Sequence, residues 1–140
     1  MILTTKAKYA VIAVIDMMED AGGRPISLAA ISQRQKISLS FLEQIFSALK
    51  KAKIVKSVKG PGGGYFLAGQ NFNISDIIAA VNEPIKMTRC AGESGCVDKK
   101  IRCKTHKIWR QLEDNIHQYL SSISLAEVSN RHNQEENYAK

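Results

Sequence analysis

All three cysteines of the chain and one of its three histidines fall within residues 90–106. They are Cys90, Cys96, Cys103 and His106, in the pattern Cys-x5-Cys-x6-Cys-x2-His. Three thiolates and one imidazole are a common set of metal ligands. An odd number of cysteines in a cytosolic protein does not suit a disulfide framework. The segment therefore favours metal binding or redox sensing.

The spacing of these ligands leaves two metal groups open. Structural zinc usually takes ligands in closely spaced pairs, and only Cys103 and His106 are that close here. Wider spacing on a loop with glycines suits a two-iron cluster, in which an imidazole ligand raises the reduction potential and can be protonated. Spacing alone does not separate zinc from a [2Fe-2S] cluster, and three unligated cysteines are the third alternative. His117 and His132 lie outside this segment.

The chain before the cysteine segment predicts a helix-turn-helix. Ser27 can cap a short helix that runs to about Gln35. A further helix is expected after a short break, because Ser40 and Glu43 have the spacing of a capping box. Two short helices joined by a tight turn are typical of this DNA-binding motif.

The second of these two helices has one apolar and one polar face. Apolar residues recur at helical spacing and predict burial at Leu42, Ile45, Phe46 and Leu49. The outer face carries Ser40, Glu43, Gln44, Ser47 and Lys51. In a major groove Gln44 can pair with adenine, Ser40 can reach a base edge or a phosphate, and Glu43 can accept from cytosine. The alternative for Glu43 is the capping box alone.

A glycine-rich loop follows between two β-prone runs, residues 54–59 and 65–67, and predicts a β-hairpin. A phosphate-binding P-loop does not fit, because no Gly-Lys-Ser/Thr follows and no helix begins there. A hairpin directly after a recognition helix is typical of the wing of a winged helix. There Gly60 and Gly62 would let the backbone lie close to DNA, and Pro61 between them is expected at the same DNA-binding turn. Lys59 can contact phosphate or enter a minor groove.

Size and charge agree with a DNA-binding protein. The 140 residues are 44% hydrophobic, which suits one domain with a core. The net charge of +7 is concentrated in residues 1–70, which hold ten Lys and Arg against four Asp and Glu. A basic half is typical of nucleic-acid binding, with a solubilising surface as the alternative. Without a long apolar run or the pattern of a signal peptide, a cytoplasmic protein with no membrane partner is expected.

A long amphipathic helix is predicted after the cysteine segment. Its apolar residues alternate at spacings of three and four, as in a coiled-coil seam: Trp109, Leu112, Ile116, Tyr119 and Ile123. We expect this seam to hold a second copy of the chain, with packing inside one chain as the alternative. The polar residues 129–140 predict a disordered tail.

Three motifs together resemble a known family. They are residues 37–46, the wing at residues 57–65, and the cysteine segment continued to Trp109. On these motifs, residues 1–128 resemble the IscR-type winged-helix transcriptional repressors, which are iron-sulfur cluster regulators. The resemblance implies a homodimer on palindromic double-stranded DNA. It also implies a [2Fe-2S] cluster on Cys90, Cys96, Cys103 and His106.

The resemblance further implies which residues recognise DNA: Ser38, Ser40, Glu43 and Gln44, with Lys59 in the wing. The sequence departs from the family pattern at two places. The interval between Cys96 and Cys103 is one residue longer than in the family. Lys59 stands where the family has arginine, which replaces a planar guanidinium with a point charge.

The predicted fold class is mainly α with a small β-hairpin, a winged helix-turn-helix domain plus a long C-terminal dimerisation helix. Expected units are a DNA-binding domain (1–84), a cysteine-rich loop (85–106), a dimerisation helix with a short extension (107–128) and a disordered tail (129–140). The expected function is a repressor of iron-sulfur cluster assembly genes, controlled by its own cluster. Alternatives are a nitric-oxide- or iron-responsive repressor of the same family, a winged-helix protein with structural zinc, and an iron-sulfur carrier or redox protein. No enzyme is expected, because no nucleophile with a paired base stands out.

Overall fold

The computed structural model describes residues 3–20, 22–88, 96–97 and 101–138. Within them the elements are α1 (Thr5–Asp20), α2 (Leu28–Gln35), α3 (Leu39–Lys51), β1 (Val55–Val58), β2 (Gly64–Leu67), α4 (Ile74–Ala80), α5 (His106–Ser121) and α6 (Leu125–Tyr138). This mainly helical architecture with one antiparallel hairpin confirms the predicted fold class. No helix in the described ranges is long and apolar enough to cross a membrane.

The predicted helix-turn-helix is formed by α2 and α3. Ser27 caps α2 as predicted, since its hydroxyl accepts a hydrogen bond from the backbone N–H of Ala30 at 3.2 Å. Helix α2 ends where Lys36 takes a φ of 56°. This left-handed conformation stops a helix and turns the chain toward α3.

Helix α3 is capped by Ser38, and the predicted capping box on Ser40 and Glu43 is wrong. The Ser38 hydroxyl accepts a hydrogen bond from the backbone N–H of Phe41 at 3.3 Å. Both serines have the chemistry of a cap, but capping at Ser38 places Ile37 directly before the cap, where it is buried. Glu43 is therefore an exposed side chain one turn into α3, without a capping role.

The predicted burial of the apolar face of α3 is confirmed. Its four residues have no exposed surface: Leu42, Ile45, Phe46 and Leu49. Helix α1 packs against α3 and α4, and three of its alanines have no exposed surface: Ala7, Ala10 and Ala13. The rings of Phe46 and Tyr65 lie 5.0 Å apart in an edge arrangement, so the core continues from α3 into β2.

The hairpin gains a third partner from the segment before α2. In β1 and β2, Val58 lies opposite Gly64, and the next residue of β2, Tyr65, exchanges backbone hydrogen bonds of 2.9 and 2.8 Å with Ile26. A Cβ atom on Gly64 would lie 2.3 Å from the backbone oxygen of Ile26. The absence of a side chain at Gly64 thus permits this close approach and anchors the base of the wing.

Replacing Gly64 by alanine is expected to destabilise the fold. Gly64 has a φ of 153°, and the new Cβ would overlap the backbone of Ile26, so the strand pairing must open. Backbone strain of this kind costs about 1–3 kcal/mol, and urea denaturation would measure the loss in the free energy of unfolding. Gly69→Ala is the matched control, because a Cβ there meets only the Phe72 ring at 3.7 Å. Equal stability of the two variants would contradict the expected strain.

The C-terminal helices pack back on the winged domain. Helix α5 contacts α4, and α6 contacts α1. Between α5 and α6, the carbonyl of Ile123 accepts a hydrogen bond from the backbone N–H of Ile74 at 3.1 Å. On α6, the Ser129 hydroxyl donates to Glu19 Oε1 at 2.8 Å. The chain end is therefore tied to the same body as the DNA-binding elements.

The predicted disordered tail is wrong for residues 129–138, because α6 continues to Tyr138. Leu125 is 2% exposed in the core and Val128 packs against it, so the first turns of this polar helix are held by tertiary contacts. Residues 139–140 lie outside the described residues.

Candidate DNA interface and metal centre

The residues predicted to recognise DNA are all exposed. Those on α3 and its cap are Ser38, Ser40, Glu43 and Gln44, and those in the turn between β1 and β2 are Lys59, Gly60, Pro61 and Gly62. The Ser38 oxygen accepts the capping hydrogen bond, so its hydroxyl hydrogen stays available for a phosphate or a base. The polar groups at the start of α3 are therefore turned toward solvent, where a DNA groove would lie.

The wing turn is held by its own backbone and by α3. Gly60 and Gly62 have φ values of 96° and 72°, which most side chains disfavour. The backbone N–H of Gly63 donates to the carbonyl of Gly60 at 2.9 Å and closes the turn. Lys50 Nζ donates to Ser57 Oγ at 2.7 Å, which links α3 directly to β1.

An ion pair between buried Asp16 and the more exposed Arg34 links the helix-turn-helix to α1. Asp16 is 8% exposed and accepts hydrogen bonds from Arg34 and Gln35, the shortest from each being 2.6 Å. Arg34 also pairs with Asp20 at 2.9 Å. The hydrogen bond with Asp16 is the main cause that raises the pKa of Arg34 above its ordinary value, so the arginine stays charged. This ion pair was not predicted from the sequence, where its signal is an aspartate within an apolar helical stripe.

Three of the four predicted metal ligands lie in the described residues, and Cys90 lies outside them. His106 is the first residue of α5 and is 7% exposed. Its Nδ1 atom lies 3.1 Å from the Sγ atom of Cys96, ten residues earlier in the chain. Its backbone N–H donates to the carbonyl of Cys103 at 3.2 Å. The fold therefore brings Cys96 and Cys103 to the first turn of α5.

The Cys103 thiol is surrounded by hydrogen-bond donors. The Thr105 hydroxyl lies 3.5 Å from Cys103 Sγ and accepts a hydrogen bond from the indole N–H of Trp109 at 3.0 Å. The Thr105 hydroxyl and then the Cys96 thiol lower the pKa of Cys103 below its ordinary value, helped by the backbone N–H groups of Thr105 and His106. Thiolates are the form of cysteine that binds metals. The sequence analysis did not single out Thr105.

These residues fit a metal group for two reasons: their donor atoms are common metal ligands, and one buried nitrogen has no hydrogen-bond partner among the described residues. The Nε2 atom of His106 is buried and has no hydrogen-bond partner among the described residues. Such an atom is costly to bury unless it binds something, and imidazole nitrogen is a common metal ligand. Across the described ranges, no three His, Cys, Asp or Glu side chains form a group that could hold a metal. The predicted set of four includes Cys90, which lies outside those ranges.

Helix α5 presents large apolar side chains to solvent. Four of them are between 37% and 62% exposed: Ile108, Trp109, Leu112 and Tyr119. Ile116 is half-buried. Ile123 differs from its predicted place in the seam, because it follows the end of α5 and is buried in the chain's own core. An exposed apolar face of this extent is typical of an interaction surface.

Comparison with known proteins identifies the family. The family described as "Rrf2: Iron-dependent Transcriptional regulator" matches residues 3–131. The chain belongs to the Rrf2 family. It is 49% identical over 130 residues to the HTH-type transcriptional regulator IscR of Photorhabdus laumondii, covering 91% of this chain and 79% of that protein.

Two further relatives agree with this placement. The chain is 45% identical over 130 residues to IscR of Escherichia coli O1:K1, covering 91% of this chain and 80% of that protein. The solved structure of T. potens IscR has a TM-score of 0.76 and 31% identity, covering 94% of this chain and 88% of that one. These findings confirm the resemblance found in the sequence. This Rrf2-family protein is a DNA-binding transcriptional regulator, and its relatives are named as regulators rather than enzymes.

Proposed function

We propose that the chain is a homodimeric repressor of palindromic promoter sites, controlled by a [2Fe-2S] cluster on Cys90, Cys96, Cys103 and His106. The observation that carries this proposal is the contact between Cys96 and His106 at the start of α5, with a buried, unpartnered His106 Nε2 among the described residues. The family's description as iron-dependent supports iron over zinc. The motifs shared with IscR-type repressors support iron-sulfur cluster assembly genes as the targets.

In this function α3 enters the major groove and the wing lies along the backbone. Ser40 and Gln44 are exposed on the face of α3 opposite its buried residues, as base reading requires. Glu43 has no role in capping, so its carboxylate is available to select cytosine or to repel a poorly fitting site. Lys59, next to the wing turn, supplies a cation for phosphate or for a minor groove.

A second copy of the chain would cover the apolar face of α5. Trp109, Leu112 and Tyr119 are exposed on that helix, and their burial would stabilise the pair. A two-fold symmetric dimer presents two copies of α3, so it matches two half-sites of a palindrome. The distance between the two copies of α3 then decides which operators fit.

His106 would couple the cluster to this spacing. His106 is the first residue of α5, and its backbone N–H donates to the carbonyl of Cys103. Binding of the cluster by His106 would therefore fix the first turn of α5, the proposed dimer helix. A bound [2Fe-2S] cluster would supply a redox-active group whose presence depends on iron and sulfide. Release of His106 and the cysteines would loosen the start of α5, change the spacing of the two recognition helices and so change site preference.

The test is to purify the protein without oxygen and measure iron, sulfide, zinc and the visible spectrum on one sample. We expect a coloured protein with about two iron and about two sulfide per chain, the content of one [2Fe-2S] cluster. Cys96→Ala should lose the colour and the iron, and should bind operator DNA with altered preference. Val97→Ala is the matched control, because its side chain is exposed beside Cys96.

Other results would contradict parts of the proposal. One zinc per chain and no colour would make the same residues a structural site. A cluster that can be removed without effect on any promoter would separate it from DNA recognition. Cluster transfer to other proteins without sequence-specific DNA binding would favour a carrier.

A further inference from the structure

Leu39 is an exposed apolar side chain at the start of α3, the end of the helix predicted to enter DNA. It is the first residue of the helix and 43% exposed. Its neighbours Ser38 and Ser40 are both exposed and polar. An exposed leucine at the start of a recognition helix is placed where an apolar group of a base edge can contact it.

The fold itself does not need a leucine there. Ser38 supplies the helix cap. The apolar residues that flank the start of a capped helix are Ile37 before the cap and Leu42 in the first turn, the positions of a hydrophobic staple, and both are buried. Leu39 lies outside the buried core. Because neither the cap nor the core uses the Leu39 side chain, that side chain is available for contact with a ligand.

The direction of Leu39 follows from the helical repeat. Leu39 lies at the border of the buried face of α3, seven residues before Phe46, on the side that also carries Glu43 and Lys50. Lys50 bonds to Ser57 in β1, so this side faces the wing. Leu39 thus lies at the N-terminal end of α3, the end expected to enter the major groove, on the side of the helix that faces the wing.

We propose that Leu39 reads a thymine through the 5-methyl group of the base. The N-terminal residues of a recognition helix contact base edges, and the thymine methyl is the apolar group exposed in the major groove. Contact between the two removes both from water. The inference rests on the proposed operator binding and adds a determinant of specificity beside the polar residues of α3.

The test uses duplexes that the purified wild-type protein selects from a random-sequence library. Each thymine of the selected site is replaced in turn by deoxyuridine, which removes only the methyl group. We expect one thymine position per half-site at which loss of the methyl group weakens wild-type binding about fourfold, the factor for burying one such group. Changing both half-sites should weaken binding about fifteenfold. Leu39→Ala should bind the thymine and uracil duplexes equally.

Val58→Ala is the matched control, because Val58 is an apolar side chain of similar exposure, 45%, that lies at the end of β1 rather than on α3. It should keep the preference for thymine. Thermal unfolding checks that Leu39→Ala remains folded, which its exposure predicts. Loss of affinity for both duplexes alike would mean that Leu39 contacts sugar or backbone, and would overturn the proposal.

Three more outcomes distinguish a failure of the Leu39 proposal from a failure of the proposed repressor function. Specific binding by the wild type with no uracil-sensitive thymine would overturn the role of Leu39 and leave the repressor intact. No selected sequence at all would overturn both the operator binding and the base contact. A thymine preference that Leu39→Ala retains would assign the methyl contact to another residue.

Discussion

Gln44→Ala is expected to weaken operator binding by about 2–6 kcal/mol per dimer. A bidentate contact between a side-chain amide and adenine contributes about 1–3 kcal/mol, and a symmetric dimer makes it twice. The side chain is exposed on α3 and the change removes no buried group, so the stability of the fold should stay the same. Titration of the selected duplex, together with variants at each base pair, would measure both the affinity and the loss of discrimination.

Gln70→Ala is the control for this experiment, because Gln70 is an exposed glutamine three residues after the end of β2, outside α3 and the wing turn.

Lys59→Ala provides a contrast. A phosphate contact should weaken all sequences alike and reduce the slope of log affinity against log salt by about 1 per contact. If Gln44→Ala also weakened all sequences equally, its role in base reading would be refuted.

Phe46→Ala is expected to have the largest effect on stability. Phe46 has no exposed surface and joins α3 to β2 through its contact with Tyr65. Truncation of a buried phenylalanine costs about 3–5 kcal/mol, a large share of the roughly 5–15 kcal/mol that stabilises a domain. Chemical denaturation should show a much lower midpoint, and the wing should lose order together with α3.

Ser47→Ala is the matched control for that measurement. Ser47 follows Phe46 directly but is exposed, and surface changes of this kind usually stay within about 0.5 kcal/mol. A loss of less than about 1 kcal/mol for Phe46→Ala would mean that the core collapses around the gap. Parallel losses in both variants would point to the backbone of α3 rather than to its packing.

Local patterns in the sequence were enough to predict the buried face of α3 and the position of the wing turn. The spacing of Leu42, Ile45, Phe46 and Leu49 determines which face of α3 is buried, because side chains three and four apart share one side of any helix. The glycines of residues 60–64 determine where β1 turns into β2, since few other residues accept those φ values. Such features depend on neighbours in the chain, so they can be read without the fold.

Competing local signals were settled only by tertiary packing. Ser38 and Ser40 are equally good caps, and the choice of Ser38 goes with the burial of Ile37. Residues 129–138 look too polar to fold alone. They are helical because Leu125 is buried in the core and because Ser129 donates a hydrogen bond to Glu19 on α1, which lies 110 residues earlier in the chain. Helix formation here depends on contacts that the local sequence does not contain.

The cysteine segment shows the same division. Residue types and spacing determine that Cys90, Cys96, Cys103 and His106 are suited to a metal, but they do not decide between zinc and iron. Only the tertiary structure shows that His106 is buried against Cys96 and that Thr105 bonds to Trp109 beside Cys103. Burial and hydrogen bonding are set by how α5 packs on the winged domain, and that packing is a property of the whole chain.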